Sequence, residues 1–384
     1  MDQVWYKNAK EYIERKTEEN FNKINDNFPH TTSVGNYTLE NPQWWTAGFW
    51  PGILWNNYHA TQNDQAAKLA ARLENQLHPL LSDTSKLDHD MGFMWTLTSL
   101  ARYQSTRDAD AKREALLAAT LLLGRFNSAG NYLEAWNSWI GTEDTSGIVI
   151  IDSMMNISLL YWASETTGDP RFAVAATAHA QTILREFVRP DGSVRHMVNF
   201  NSATGEVIEK LGGQGFSEQS AWARGNAWAI YGFAIAYYYT KKAEFLDAAM
   251  MIGNYFEMHT AGYDIPLWDF RIPQNTSEVK YDYPDSSAAA IAACGFLLLS
   301  RITISEEREY YHNIGSTLLK RLYDHATQDS GQALITHGTG HWPEQKNLDT
   351  GLIYGDYFFT EGIYQLNKIY SVFWLGDNWD HENI

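Results

Sequence analysis

Four times along this chain an aromatic residue leads through a short polar turn into an alanine-rich segment: Tyr58 to Asp64, Tyr103 to Asp108, Trp162 to Pro170 and Tyr238 to Lys242. The intervals are unequal, so the pattern is a degenerate helical-hairpin repeat with insertions, not a solenoid of fixed period. Apolar residues at helical spacing predict twelve helices, over roughly 3–25, 48–61, 64–79, 91–104, 109–125, 152–166, 171–187, 222–239, 242–259, 285–302, 305–324 and 355–371. Long connections near 126–151, 188–221, 260–284 and 325–354 hold most of the Gly, Trp and His outside these helices. Loops of that length are usually functional or disordered, and these are too aromatic for disorder. Tight turns at one end and elaborate loops at the other describe an all-α fold, an (α/α)6 barrel of six hairpins with a cleft at the long-loop end. Within one such loop, Gly192 to Phe200 alternates and then turns at Asn201 to Gly205, which predicts a small strand pair. No linker interrupts the chain, so a single catalytic domain over 1–384 is expected.

Charge narrows the partners. With 29 Lys plus Arg against 46 Asp plus Glu and no dense basic run, the net charge of −17 argues against nucleic acid and anionic membrane surfaces. No uncharged run is long enough to span a bilayer, and Met1-Asp2-Gln3-Val4-Trp5-Tyr6-Lys7 lacks the basic and apolar regions of a signal peptide. The lone cysteine, Cys294, sits among apolar neighbours as a small core residue, so a reducing, cytoplasmic location is expected. The 15 Trp, 22 Tyr and 17 Phe are unusual in placement, because several Trp fall in Gly-rich polar loops. There they suit stacking on the C–H faces of sugars, or they anchor the loops onto the core; for any one ring the two readings weigh equally.

Two acids stand at helix mouths. Asp152 follows the apolar run Ile148-Val149-Ile150-Ile151, and Asp90 lies in Leu87-Asp88-His89-Asp90-Met91-Gly92-Phe93. An Asp at a helix start is commonly an N-cap, but the repeat puts both acids on the long-loop rim, where paired carboxyls can divide acid and base work. A second constellation runs from Gly212-Gly213-Gln214-Gly215 to Trp222-Ala223-Arg224-Gly225-Asn226-Ala227-Trp228. Arg224 could clamp a substrate carboxylate or pair with a structural Asp, and the loop lacks the ending of a phosphate-binding loop. His196 is open to three readings: ligand, hydrogen-bond donor to substrate, or exposed strand residue. His337 and His341 are spaced i, i+4 in a Gly-rich stretch that does not read as helix, so no metal and no cofactor are expected. No Gly-x-Ser-x-Gly elbow is present.

Taken in order, Trp45-Thr46-Ala47-Gly48-Phe49-Trp50, His89-Asp90-Met91-Gly92-Phe93, Ile150-Ile151-Asp152, Trp222 to Trp228, Asp285-Ser286-Ser287-Ala288 and Gly355-Asp356-Tyr357 resemble the unsaturated glucuronyl hydrolases, glycoside hydrolase family 88. The resemblance covers nearly the whole chain and implies a six-hairpin α/α barrel. It also implies an oligosaccharide substrate, left by a polysaccharide lyase, with a C4=C5 unsaturated uronic acid at its non-reducing end. Asp152 would be general acid and water-activating base, Asp90 its partner, Trp45, Trp136, Trp222 and Trp228 aromatic walls, and His196, Gln214 and Arg224 polar contacts. Such hydration of a vinyl ether uses an acid and a base without metal or cofactor. Ala47 departs from an acidic position of the family motif, and Thr336 to Gly351 diverges; with no Lys/Arg-Ser cluster there, an unsulfated or lightly sulfated substrate is expected. The rival readings are an unsaturated rhamnogalacturonyl hydrolase of family 105, a sugar-binding protein without catalysis, and a sugar epimerase, which would need a pair of bases that is not evident.

Overall fold

Alternation of fully buried with half-buried helices is the organising feature of the computed structural model, which describes residues 4–137 and 144–376. Its twelve α-helices are α1 (Val4–Lys23), α2 (Phe49–Thr61), α3 (Asp64–Leu77), α4 (91–106), α5 (Ala109–Leu123), α6 (153–167), α7 (Pro170–Phe187), α8 (Ala223–Thr240), α9 (Ala243–Thr260), α10 (Ser286–Ile302), α11 (Ser305–His325) and α12 (Ile353–Leu366). Two are interrupted: α4 passes through a π-type turn at Thr96–Leu100, and α6 breaks for one residue at Ile157. Residue 3 of the expected first helix and residues 138–143 of the expected long connection lie outside the described residues.

The even-numbered helices have no solvent face over most of their length. In α8 every residue from Ala223 to Ala236 is buried, and in α10 every residue from Ser286 to Ser300. Such all-round apolarity forces a helix to the centre. Odd-numbered helices bury one stripe, as α1 does through Trp5, Ala9, Ile13 and Phe21. Each inner helix packs on the next, α2 on α4, α6, α8, α10 and α12 in turn, and α12 packs back on α2 to close the ring. Hairpins α2–α3, α4–α5, α6–α7, α8–α9 and α10–α11 are consecutive in the chain, whereas the sixth joins α12 to α1. This is the expected (α/α)6 barrel.

One backbone device explains why four turns read alike. Gln62, Arg107, Gly168 and Lys241 each end an inner helix in the left-handed region, at φ 58, 58, 72 and 55°. In the first three, the next helix is then capped by a side chain: Asn63 accepts from Gln65 N, Asp108 from Asp110 N and Ala111 N, and Asp169 from Arg171 N. The long connections leave from the opposite end. There β1 (Phe28–Ser33) pairs with β2 (Asn36–Glu40), β3 (Phe126–Asn127) with β4 (Tyr132–Leu133), and β5 (Ile148–Ile150), β6 (Met197–Phe200) and β7 (Val207–Leu211) form an antiparallel sheet in that order.

The β6–β7 pair turns where the alternating pattern expects it. The β1–β2 hairpin was not expected, because Pro29, His30 and the threonines carry no apolar alternation and its turn rests on Val34 and Gly35 at φ 50 and 81°. Nor does the last helix run to 371. It stops at Leu366, and Val372, Phe373, Trp374 and Leu375 are buried as coil across the tight-turn end. Trp374 Nε1 donates to Glu361 Oε2 there at 2.9 Å. A helical period and a buried coil look the same in an apolar run this short. Among the described residues, no helix is long and apolar enough to cross a membrane.

Candidate active site

The six inner helices all begin at the long-loop end, and their free N–H groups and dipoles face one mouth. Trp45 precedes α2, Asp90 precedes α4, Asp152 precedes α6, Trp222 and Arg224 open α8, Asp285 precedes α10 and Tyr354 lies in the first turn of α12. Asp90 and Asp152 hold cap positions, yet neither side chain caps its helix. Both are 8% exposed, so each is a buried carboxyl with another task.

Asp90 accepts from Asn156 Nδ2 at 3.0 Å, and His89 Nε2 lies 3.4 Å from its Oδ1. Burial, and then the charge of Asp152, push the Asp90 carboxyl up to about 7. Asp152 Oδ2 has no hydrogen-bond partner among the described residues and faces His196 Nε2 at 3.6 Å. The proton of that histidine is placed by its other nitrogen: Gln214 N donates to Nδ1 at 2.9 Å, so Nε2 carries the hydrogen and presents it to Asp152. Gly213 makes this contact possible. It sits at φ +59°, and a Cβ there would lie 1.8 Å from Nδ1.

The Asp152 corner is moored from behind. Ile151 N donates to His196 O at 3.0 Å, which continues the β5–β6 ladder to the acid. Ser153 Oγ donates to Ile150 O at 2.6 Å and lies 2.7 Å from His179 Nε2, while Leu133 N donates to His179 Nδ1 at 3.0 Å. With Nδ1 accepting, His179 donates from Nε2 to Ser153. Burial, then His89, pushes His179 down to about 3, so it stays neutral.

Arg224 is spoken for. Nη1 donates to Asp285 Oδ2 at 2.6 Å and Thr339 O at 2.8 Å, and Nη2 to Gln214 Oε1 at 2.8 Å and Gly340 O at 2.7 Å. Its guanidinium also covers the Trp222 ring at 4.5 Å, and His196 meets the same indole edge-on, with centroids 4.6 Å apart. Of the two readings of Arg224, the structure places it with a structural Asp. Trp222 is a buried spacer, and Trp228, with no exposed surface, lies under Phe93 and Phe358 at 5.1 and 5.3 Å. Trp45 and Trp136 keep an open face. Trp45 packs on Tyr354 at 5.0 Å, and Trp136 on the cluster of Ala135, Ile148 and Ile150.

The network therefore brings together Asp90, Asp152, His196, Gln214, Trp222 and Arg224, with Trp45 and Trp136 at its edges and Trp228 beneath. Asn156, His179, Asp285 and Tyr354 complete it; none is among the expected site residues, although Asp285 stands in a motif that carries the resemblance and Asn156 lies one helical turn beyond Asp152. His337 and His341 do not converge. His337 pairs with Asp349 at 2.6 Å, His341 Nδ1 accepts from Glu344 N at 3.2 Å, and no cluster of three metal-ligating side chains occurs among the described residues. Cys294 lies in the core, its Sγ 3.2 Å from Phe358 O.

Fold and site define an α/α-barrel hydrolase with a carboxyl pair at the mouth of the ring. The chain belongs to glycosyl hydrolase family 88, whose model matches residues 12–363. It is 35% identical to the unsaturated glucuronyl hydrolase of Bacillus sp. (strain GL1), over 93% of this chain and 96% of that protein. It is 29% identical to the unsaturated chondroitin disaccharide hydrolase of Streptococcus pneumoniae, over 94% and 91%. The crystal structure of the unsaturated glucuronyl hydrolase from Bacillus sp. GL1 superposes with a TM-score of 0.92 at 32% identity, covering 98% of this chain and all of that one.

Proposed function

We propose that this chain hydrolyses unsaturated glucuronyl oligosaccharides made by polysaccharide lyases, hydrating the C4=C5 vinyl ether of the terminal unsaturated uronic acid. The observation that carries this reading is the Asp152 carboxyl, whose one oxygen is unpartnered and faces the fixed Nε2–H of His196 beside a second buried acid. Asp152 gives a proton to C4, and positive charge develops at C5 and the ring oxygen. Asp152, now ionised, takes a proton from water as that water adds to C5. The resulting hemiketal opens, and the remaining sugar leaves as an alcohol. Asp90, pushed up to about 7 by burial and by the charge of Asp152, holds the pair's proton in the free protein and supplies it to Asp152 once substrate is bound. Trp45 and Trp136 offer the exposed faces on which a sugar stacks, His196 contacts the uronic ring, and Arg224 fixes Gln214 and Trp222 behind it.

In the divergent segment 336–351 the single lysine, Lys346, lies 2.6 Å from Glu344 Oε2. A neutralised cation there supports an unsulfated or lightly sulfated aglycone. We read residues 1–384 as one catalytic unit, and the buried lone Cys294 favours the cytoplasm. The test follows the ultraviolet absorbance of lyase-made disaccharides, glucuronyl and rhamnogalacturonan alike, with wild type and Asp152→Asn. Loss of the double bond with wild type alone is expected, fastest on unsulfated glucuronyl members. Wild-type activity in the variant, or no turnover of any disaccharide, would sink the assignment.

A further inference from the structure

An Asp at the mouth of a helix ordinarily spends its carboxylate on the free N–H groups of the first turn. Asp90 does not, although Phe93 N, three residues on, is the donor that a cap at position 90 would take. That N–H goes instead to Asn156 Oδ1, at 2.7 Å. Asn156 belongs to α6, not α4, and has no exposed surface. Because its oxygen is committed to Phe93 N, its amide nitrogen must point the other way, and there it donates to Asp90 Oδ1 at 3.0 Å. The two helices can approach this closely because of Gly92. A Cβ at that position would lie 2.5 Å from both Cα and Cβ of Asn156.

We infer that Asn156 is a positioning residue for the reaction, capping α4 in place of Asp90 and thereby releasing the Asp90 carboxyl and aiming it into the site. This rests on the function proposed above. Asn156 lies four residues after Asp152 on the same turn of α6, so one helical turn presents one acid and steers the other. A shift in the start of α6 moves both carboxyls together. The groups acting on Asp90 are Asp88 and His89 from its own loop, Asp152 and Asn156 from α6, and Arg125 after α5. Of these, Asn156 is the neutral donor in direct contact, and it favours the ionised acid.

Two variants separate positioning from bulk stability. Asn156→Ala frees Phe93 N, and Asp90 can rotate back to cap it, so the fold survives while the acid leaves its place. The expected result is a kcat lowered ~100-fold with KM within about threefold and a melting temperature close to wild type. Asn156→Asp keeps an acceptor for Phe93 N but sets a second carboxyl against Asp90. Its Asp90 midpoint, followed by 13C NMR on aspartate-labelled protein, should rise by roughly one pH unit or more. Wild-type kcat in Asn156→Ala, in a preparation whose wild type turns over, would overturn the inference. So would an unmoved Asp90 midpoint in Asn156→Asp, and that titration needs no turnover. Absence of wild-type turnover beside a shifted midpoint would count against the function and leave the steering of Asp90 supported.

Discussion

Replacing Asp90 by asparagine should make the protein more stable at pH 8 while removing its activity. In the folded chain, burial and the charge of Asp152 raise the Asp90 carboxyl from 3.8 to about 7. A rise of ~3 pH units at about 1.4 kcal/mol each sets an upper limit of about 4 kcal/mol lost when the group ionises in place. Asparagine keeps an oxygen for Asn156 Nδ2 but gives up a charge-assisted bond, which trims the gain to roughly 2–3 kcal/mol. The sign follows from proton counts. Between pH 4 and 7 the folded state binds the proton and the unfolded state does not, so wild-type stability from this group is present below pH 4 and lost as pH rises through about 7. The variant carries no such loss. A chain of 384 residues has an unfolding entropy near ~0.8 kcal/mol/K, so the gain appears as a melting temperature higher by about 3 °C at pH 8 and by almost nothing at pH 4. Calorimetry at both values checks it. An equal shift at pH 4 and pH 8, or a less stable variant at pH 8, would refute the electrostatic account of Asp90.

Other perturbations probe the same network. Gly213→Ala drives a methyl into His196 Nδ1; steady-state kinetics should show kcat down ~100-fold in a folded protein, and an unchanged kcat would show that the His196 tautomer is not needed. For His179, held down to about 3, the unfolded state binds the proton first, so wild-type stability falls as pH drops from about 6.5 toward 3. His179→Phe should be less stable at pH 7 by ~2 kcal/mol, through the stranded Leu133 N–H and Ser153 Oγ, yet lose less between pH 7 and 5 in urea titrations. Arg224→Lys removes the fork that joins Asp285, Gln214 and two carbonyls, and a destabilisation of roughly 3 kcal/mol is expected in the same titrations; a neutral result would mean that Lys rebuilds the site.

The barrel was legible because its signals are local. A left-handed residue followed by a capping Asn or Asp recurs at Gln62, Arg107 and Gly168, and unbroken apolarity marks α8 and α10 as inner helices. Asp90 and Asp152 stood out for the same reason, as acids beside apolar runs. Their supports did not, since His179 reaches Leu133 across 46 residues and Arg224 reaches Thr339 across 115. Nor does composition separate tryptophans that face the mouth from those beneath it. Trp45 keeps an open side, whereas Trp228 is sealed under Phe93, and the difference lies in how neighbouring helices pack. The apolar residues after Leu366 have a period but no room to continue as helix, because Glu361 draws Trp374 back across the end of the ring.

The sixth hairpin gives the molecule a seam. Its helices α1 and α12 are the first and last made, and Asn367 Nδ2 reaches Tyr6 O at 2.8 Å across 361 residues. During synthesis five hairpins can dock one after another while the facing sides of α2 and α10 stay uncovered, waiting for a helix not yet translated. Joining ends that far apart costs about 5 kcal/mol in chain entropy, so arrival of α12 is the slow, aggregation-exposed step of folding. A permuted gene that opened the ring at the Gln62 turn, with its old termini linked, would move the seam to α2 and α3, leave α12 and α4 facing a gap that waits for α2, and make α12 and α1 neighbours in time as well as in space.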